Sequence, residues 1–214
     1  MSDAQHKKEF SIIGIIVTVA ATAGFIWAAS QWYYCDSDQM KLSIDRIQAN
    51  ELNTFTNLQV IFHAQKKYKE KDWDGDGNKI YAIYFVHLWT SVSTKGEPVL
   101  IDLIPKKLAF AMEADKAVNG YYFIDLHDKI TRGVQTQVPI DYGKEWVVLA
   151  LPAGRDRTGV LNFLADQSGS IFVNTAESAA TQYPEKPDAA GWIKIEDIEQ
   201  LKDFQKKTIY PADN

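Results

Sequence analysis

The stretch from Phe10 to Cys35 contains no charged residue, and this feature constrains the fold more than any other. Most of the stretch is apolar, and a helix that crosses a bilayer needs about 20 such residues. Lipid offers no partner for backbone N–H and C=O groups, so a single apolar segment can cross only as a helix. The sequence therefore predicts a transmembrane helix over residues 10–35, preceded by a leader at residues 1–9.

The charges on either side of this stretch predict its orientation. Lys8 lies just before it and Asp36 just after it. By the positive-inside rule, the leader is expected in the cytoplasm and residues 36–214 outside it. The predicted location is the inner (cytoplasmic) membrane, with a single pass and a periplasmic or extracellular C-terminal domain. The alternative is a secretory signal peptide that is cleaved near residues 28–30.

An amphipathic pattern continues beyond the apolar stretch. Apolar residues recur at steps of three, four and eight positions, at Met40, Ile44, Ile47, Phe55, Leu58 and Phe62. These steps place the side chains on one face of an α-helix. Because no proline or glycine occurs between Phe25 and Trp73, we expect residues 36–70 to continue the transmembrane helix. The alternative is two helices with a hinge at Asp36.

Residues 71–214 are expected to form an antiparallel sheet and a closing helix. Strands are predicted at residues 120–126, 145–152, 160–165 and 170–174, and the closing helix at residues 192–209. Residues 103–115 suggest a short helix, residues 80–89 fit a strand or a helix, and residues 175–191 suggest a loop. The predicted fold class is α+β, with the long helix covering one face of a small antiparallel sheet.

The composition excludes several classes of function. The chain has 23 Lys and Arg residues against 28 Asp and Glu residues, and this net charge of -5 argues against a nucleic-acid partner. One cysteine excludes an internal disulfide framework, and four histidines leave little material for a histidine-based metal centre. No nucleophile has a recognisable catalytic context, so the protein is predicted not to be an enzyme and no catalytic residue is assigned.

One acidic motif suggests a metal site. Asp72, Asp74 and Asp76 alternate along the chain and are followed by Gly77 and Asn78. Oxygen ligands at this spacing can wrap around Ca²⁺. Asp72, Asp74, Asp76 and Asn78 are therefore the predicted metal ligands, and calcium is the predicted cofactor. The alternative is a solvated acidic turn, because the bidentate glutamate of a complete EF-hand loop is missing from its expected position.

An arginine-rich turn follows the strand predicted at residues 145–152. The segment from Leu151 to Gly159 resembles the phosphate loop of protein tyrosine phosphatases, but Leu151 stands where that loop needs a cysteine nucleophile. The remaining possibilities are anion binding through Arg155 and Arg157, or a plain solvated loop.

Several short segments resemble the type IV pilin and pseudopilin superfamily. They are Asn57-Leu58 and Ala64-Gln65-x-x-Tyr68 in the amphipathic helix, and later Gly120-Tyr-Tyr-Phe123 and Ala150-Leu-Pro152. The resemblance implies a pilin-like fold, with an N-terminal helix laid on an antiparallel sheet. It also implies assembly with other protein subunits.

The predicted function follows from this resemblance. Gly14 stands where pilins have a glutamate that helps subunits to assemble, and Glu9 stands where their leaders have glycine. We therefore expect a permanently membrane-anchored, pilin-like structural or accessory subunit of a filament, secretion or envelope complex. Its expected partners are the membrane and other protein subunits, contacted through the transmembrane helix and the outward domain. The alternative is an extracytoplasmic sensor module that binds calcium or another ligand.

Overall fold

A long helix supplies one side of the hydrophobic core. The computed structural model describes residues 41–130, 137–176, 183–184 and 187–209, and the first of its helices, α1, occupies residues 41–70. Phe55, Leu58 and Ile61 lie three residues apart along α1 and are at most 1% exposed. This spacing keeps all three on the face that packs against the sheet, which is the pattern expected of an amphipathic helix.

The largest sheet in the described residues has five strands, and all its neighbouring strands are antiparallel. Its strands are β3 (Tyr121–Asp125), β6 (Val147–Pro152), β7 (Asn162–Asp166), β8 (Ile171–Asn174) and β10 (Ile193–Ile195). Their order across the sheet is β10, β8, β7, β6, β3. The hairpin of β7 and β8 is fixed in register by the pairing of Leu164 with Phe172.

The central strands of this sheet are buried on both faces. In β6, Val148 and Ala150 belong to the cluster that contains the apolar face of α1, whereas Val147 and Leu149 belong to a second cluster with Trp192. Successive side chains of a strand point to opposite faces, so β6 must contribute to two cores. The sheet therefore lies between two apolar layers.

Two smaller sheets complete the strands that the structure describes. A hairpin joins β1 (Thr90–Val92) to β2 (Pro98–Leu100), and a three-stranded sheet contains β4 (Asp128–Ile130), β5 (Gln137–Pro139) and β9 (Tyr183–Pro184). In the three-stranded sheet, β4 pairs antiparallel with β5 and parallel with β9. Tyr183 packs in the second apolar cluster, and this contact places β9 beside the large sheet.

Short helical segments complete the described secondary structure. They are α2 (Lys106–Ala109), α3 (Ile198–Ile209) and the 3-10 turns Phe85–Leu88, Ala114–Lys116 and Asp188–Ala190. The apolar side of α3 contributes Leu201 to the same core as α1.

The local predictions agree with the structure to different extents. The strands expected at residues 120–126 and 145–152 are confirmed as β3 and β6, and the hairpin is confirmed as β7 and β8. The segment at residues 192–209 begins with the strand β10 before α3, so the prediction of a helix throughout is wrong. The ambiguous segment at residues 80–89 contains a 3-10 helix.

The predicted fold and location are corrected by the structure. Within the part of the chain that it describes, no helix is long and apolar enough to cross a bilayer. A spanning helix must be apolar on all sides, whereas α1 is apolar on one face only. The described strands form three sheets rather than one small sheet. The prediction of a transmembrane helix that continues onto a small sheet is therefore wrong, and so is the single-pass location in the inner membrane. The leader at residues 1–9 and the span at residues 10–35 lie outside the described residues.

Candidate functional site

The acidic loop that follows α1 is closed by its own first carboxylate. Oδ1 of Asp72 accepts hydrogen bonds from the backbone N–H groups of Gly75, at 2.8 Å, and Asp76, at 3.2 Å. Oδ2 of Asp72 accepts a third from Gly77 N–H at 3.0 Å. Gly75 and Gly77 both have positive φ, which glycine adopts without steric cost. The Asp-Gly alternation therefore wraps the backbone around one side chain.

The remaining predicted ligands lie around this turn. Asp76 accepts hydrogen bonds from the backbone N–H and the side-chain amide of Asn78, at 2.7 and 3.0 Å. These bonds lower the pKa of Asp76. Burial raises the pKa of Asp74, and the charge of Asp76 adds to this effect. The loop is tied to the β1–β2 turn by a bond from Thr94 N–H to the carbonyl of Asp74 at 2.9 Å.

Three of the four predicted ligands have the spacing of a cation site. One carboxylate oxygen from each of Asp72, Asp74 and Asp76 lies within 4.8 Å of the others. Because Ca²⁺ binds oxygen at about 2.3–2.6 Å, oxygens separated in this way can contact one ion. The fourth predicted ligand, Asn78, donates its side-chain amide to Oδ2 of Asp76 at 3.0 Å. The remaining ligands of a bound ion would be backbone carbonyls or water.

A buried carboxylate that the sequence analysis did not single out connects distant parts of the chain. Glu51 is fully buried on α1, and its Oε1 accepts backbone N–H bonds from Val160 at 2.7 Å and Leu161 at 3.0 Å. Its Oε2 accepts a bond from Nε2 of Gln205 on α3 at 2.8 Å. Burial raises the pKa of Glu51, outweighing the effect of these donors. The signal in the sequence was a charged residue midway between Ile47 and Phe55 on the apolar face of the helix.

The arginine-rich turn connects β6 to β7 and lies over this carboxylate. The side-chain amide of Asn50 donates to the carbonyl of Thr158 at 2.8 Å, and Nη2 of Arg46 donates to the carbonyl of Arg157 at 3.1 Å. The guanidinium of Arg155 donates to the carbonyls of Thr175 and Ala176. The lone cysteine, Cys35, lies outside the described residues, and Leu151 lies in β6, so the turn has no thiol nucleophile at the expected position.

Titratable side chains also gather at the end of β3. Asp125 accepts a hydrogen bond from Phe85 N–H at 2.8 Å, at the start of the 3-10 turn Phe85–Leu88. Burial raises the pKa of Asp125 to about 7. Nearby, Nδ1 of His127 is hydrogen-bonded to the hydroxyl of Tyr142, and burial together with the charge of Asp125 raises the pKa of Tyr142 to about 12.

The hairpin of β1 and β2 has an apolar outward face. Val92 pairs with Pro98 and Thr90 pairs with Leu100, so these four side chains share one face of the hairpin. On this face Val92 is 59% exposed and Leu100 is 65% exposed. The opposite face carries Ser91, which is buried. The outward face of a hairpin is usually polar, and a contiguous apolar face indicates an interaction surface.

Comparison with known proteins gives a family without an assigned role. No curated protein matches the chain, and no solved structure matches it. A family model described as "Protein of unknown function (DUF2950)" matches residues 22–186. The match extends from before α1 to beyond β9 and covers most of the sequence. The chain therefore belongs to the DUF2950 family of proteins of unknown function.

Proposed function

We propose that this protein is a non-enzymatic, pilin-like subunit of a protein assembly, and that it acts by binding other subunits through its folded domain. The observation that carries the proposal is the apolar outward face of the β1–β2 hairpin. Val92 and Leu100 expose most of their surface to solvent although both are apolar. Burying such side chains against a partner is favourable by about 25 cal/mol per Å² of apolar surface.

The framework behind the hairpin supports a role in binding. The carbonyl of Trp89, just before β1, accepts backbone N–H bonds from Ile101 at 2.9 Å and Asp102 at 3.1 Å, so the two strands are joined at the open end of the hairpin. Ser91 and Val99 face inward, and Val99 packs on the main apolar cluster. A surface held in this way loses little conformational entropy on binding.

Site-specific photo-crosslinking tests this proposal in cells that make the full chain. A photoreactive amino acid is placed at Leu100 on the hairpin or, as a control, at Ile193, which is 47% exposed on β10. We expect a discrete adduct with another protein from position 100 and none from position 193. No adduct from position 100, or equal adducts from both positions, would contradict the proposal.

A second candidate function is a calcium-binding module, which the grouping of Asp72, Asp74 and Asp76 favours. A bound cation would neutralise the repulsion among the three carboxylates and fix the loop between α1 and β1. A ligand that binds only the folded state stabilises it by about 2.7 kcal/mol at a concentration 100 times its Kd.

Thermal melting with millimolar CaCl₂ tests this second candidate. We expect the Tm of the wild-type chain to rise with calcium and the Tm of an Asp72→Asn/Asp76→Asn variant not to respond. Asp115→Asn is a matched control, because Asp115 is exposed and lies outside the group. An unchanged wild-type Tm would remove calcium binding and leave the subunit proposal intact.

A further inference from the structure

Three of the four arginines in the chain meet at one surface, which we call the arginine loop and define as residues 153–159 together with Arg46. Arg155 and Arg157 belong to the connection between β6 and β7, and Arg46 reaches it from α1 through its bond to the carbonyl of Arg157. Arg46 and Arg157 are exposed, and Arg155 is partly buried. Nineteen lysines and one further arginine make up the remaining positive charge of the chain, so the concentration of arginine at this loop is selective.

The arginine loop is held rigidly from inside. Oγ1 of Thr158 lies 3.0 Å from both the backbone N and the carbonyl O of Gly154, which closes the loop across its base. Asn50 binds the carbonyl of Thr158, and Glu51 binds the N–H groups of Val160 and Leu161 immediately after the loop. The arginines are therefore presented on a backbone that needs little ordering when a partner binds.

Within the described residues, the arginines of the loop form no ion pair. Among the residues that the structure describes, every ion pair with a carboxylate uses a lysine, and none uses Arg46, Arg155 or Arg157. Asp156 lies within the loop and offsets one of the three charges. The loop thus presents guanidinium groups on a protein whose net charge is -5. Guanidinium forks bind carboxylates and phosphates with paired hydrogen bonds.

The backbone of the loop favours carboxylates over phosphate. A phosphate site is usually lined with free backbone N–H groups. In the arginine loop, the N–H of Asp156 donates to the carbonyl of Gly159, and the N–H groups of Arg157 and Thr158 both donate to the carbonyl of Gly154. These backbone donors are already used. Arg46 and Arg155 each donate part of their guanidinium to backbone carbonyls. The guanidinium of Arg157 and the remaining N–H groups of Arg46 are therefore the main donors left for a ligand.

We propose that the arginine loop binds an acidic segment of a protein partner. The proposal rests on the proposed function, because it adds a charged recognition surface to the apolar hairpin of an assembly subunit. Each exposed charge pair of this kind strengthens binding by about fivefold at most, so the loop would set the orientation and the choice of partner more than the total affinity.

Fluorescence anisotropy with a labelled peptide of eight glutamates tests the proposal on the full chain at low ionic strength. We expect saturable binding that weakens as salt is added, because salt screens exposed charges. An Arg46→Gln/Arg157→Gln variant should bind roughly threefold to tenfold more weakly, as expected for the loss of two exposed pairs. Arg46→Lys/Arg157→Lys keeps the charge but loses the paired donors of the guanidinium. Its affinity should lie between those of the wild type and the glutamine variant.

The matched control is Lys106→Gln/Lys107→Gln, which removes the same charge from exposed positions on α2. Equal weakening by this control, or no binding by the wild-type chain, would overturn the proposal. Displacement of the peptide by inorganic phosphate at constant ionic strength would overturn it in favour of a phosphate site. If the peptide binds as expected but position 100 yields no crosslink, only the proposed function fails. If position 100 yields a crosslink but the peptide does not bind, only the arginine-loop proposal fails.

Discussion

Glu51 shows how a single buried charge can hold separate parts of the chain together. It lies on α1, yet its partners are 109, 110 and 154 residues away along the chain. Two of these partners are backbone N–H groups at the end of the arginine loop, which would be left without an acceptor if the carboxylate were removed. An unsatisfied buried donor costs about 1–3 kcal/mol.

We therefore expect Glu51→Ala to lower the free energy of unfolding by about 2–4 kcal/mol, measured by urea denaturation, because it leaves donors unpaired and opens a cavity. Glu51→Gln keeps an oxygen acceptor for the backbone N–H groups, so we expect a smaller loss of stability. Its amide N–H₂ group would, however, lie against Nε2 of Gln205, which is also a donor. Glu51→Gln/Gln205→Glu restores a carboxylate opposite an amide and should recover part of the loss. A Glu51→Ala variant within 0.5 kcal/mol of the wild type, on the scale of an ordinary surface substitution, would refute this account.

Asp125 should make stability depend on pH. Its pKa of about 7 in the folded state lies above the ordinary value of 3.8, so the folded state holds the proton more tightly than the unfolded state. The stability that the folded state gains from binding this proton is present in full below about pH 4 and is lost as the pH rises towards 7. The amide oxygen of Asp125→Asn can still accept the Phe85 N–H. We therefore expect its free energy of unfolding at pH 8 to be about 1–3 kcal/mol higher than that of the wild type.

The comparison for Asp125→Asn is made by urea denaturation between pH 4 and pH 8. The difference in unfolding free energy between variant and wild type should grow with pH across this range. Asp128→Asn is a useful control, because Asp128 is close in sequence and its carboxyl is not the one bonded to Phe85. Two parallel curves for Asp125→Asn and the wild type would show that Asp125 does not titrate in this window.

The residues of the acidic loop could be predicted from the sequence because their interactions are local. Asp72 binds N–H groups three to five positions further on, and the Asp-Gly spacing encodes that turn directly. The role of Glu51 could not be predicted in the same way, since nothing near it in the sequence specifies donors more than 100 residues away. The burial of Asp125 could not be predicted either, because a carboxylate at the end of a strand is usually solvated.

At the scale of elements, the connection between β6 and β7 is fixed by the side chain of Tyr121 on β3. The Tyr121 hydroxyl donates to the carbonyl of Leu161 at 2.8 Å, and Gly159 lies directly against the ring. A Cβ atom at Gly159 would lie 2.0 Å from the Tyr121 hydroxyl oxygen, far inside van der Waals contact. The arginine loop therefore has its conformation only because position 159 carries no side chain.

We expect Gly159→Ala to lower the free energy of unfolding by about 3 kcal/mol or more, because a fully buried ring and two strands must shift to admit the methyl group. Gly154→Ala is the matched control within the same loop. Its Cβ would approach only the flexible guanidinium of Arg157, at 3.4 Å, and should cost less than about 1 kcal/mol. Chemical denaturation of the two variants checks the difference, and equal losses would contradict the close packing described here.

Helix α1 and strands β3, β6, β7 and β8 follow from periodicity and turn chemistry, which act over a few residues. The arrangement of the sheet could not be predicted in this way. Strands β6 and β7 are apolar at nearly every position, and a continuous apolar run does not indicate which elements pack on each face of the strand. The second apolar layer comes from β9 and Trp192, in a region that was expected to be a loop or a helix. The parallel pairing of β4 with β9 likewise joins strands far apart in sequence.

At the scale of the whole molecule, the surface combines an apolar hairpin, an acidic loop and an arginine loop on one framework. The acidic loop is bonded to the β1–β2 turn through Thr94, so a cation at Asp72, Asp74 and Asp76 would stiffen the turn of the hairpin. We expect millimolar calcium to slow backbone amide exchange around Thr94, followed by hydrogen–deuterium exchange and mass spectrometry. Unchanged exchange at Thr94 in a chain whose Tm rises with calcium would show that the loop and the hairpin are not coupled.

The central claim is that the exposed apolar hairpin is where this protein binds another subunit. The most direct measurement is co-isolation of partners with the full chain from its own cells, compared among the wild type, Val92→Asp/Leu100→Asp and the control Ile193→Asp, after thermal melting has shown that all three fold. We expect the hairpin variant to lose a specific partner that the wild type and the control both retain. Retention of that partner at the wild-type level by Val92→Asp/Leu100→Asp would contradict the claim.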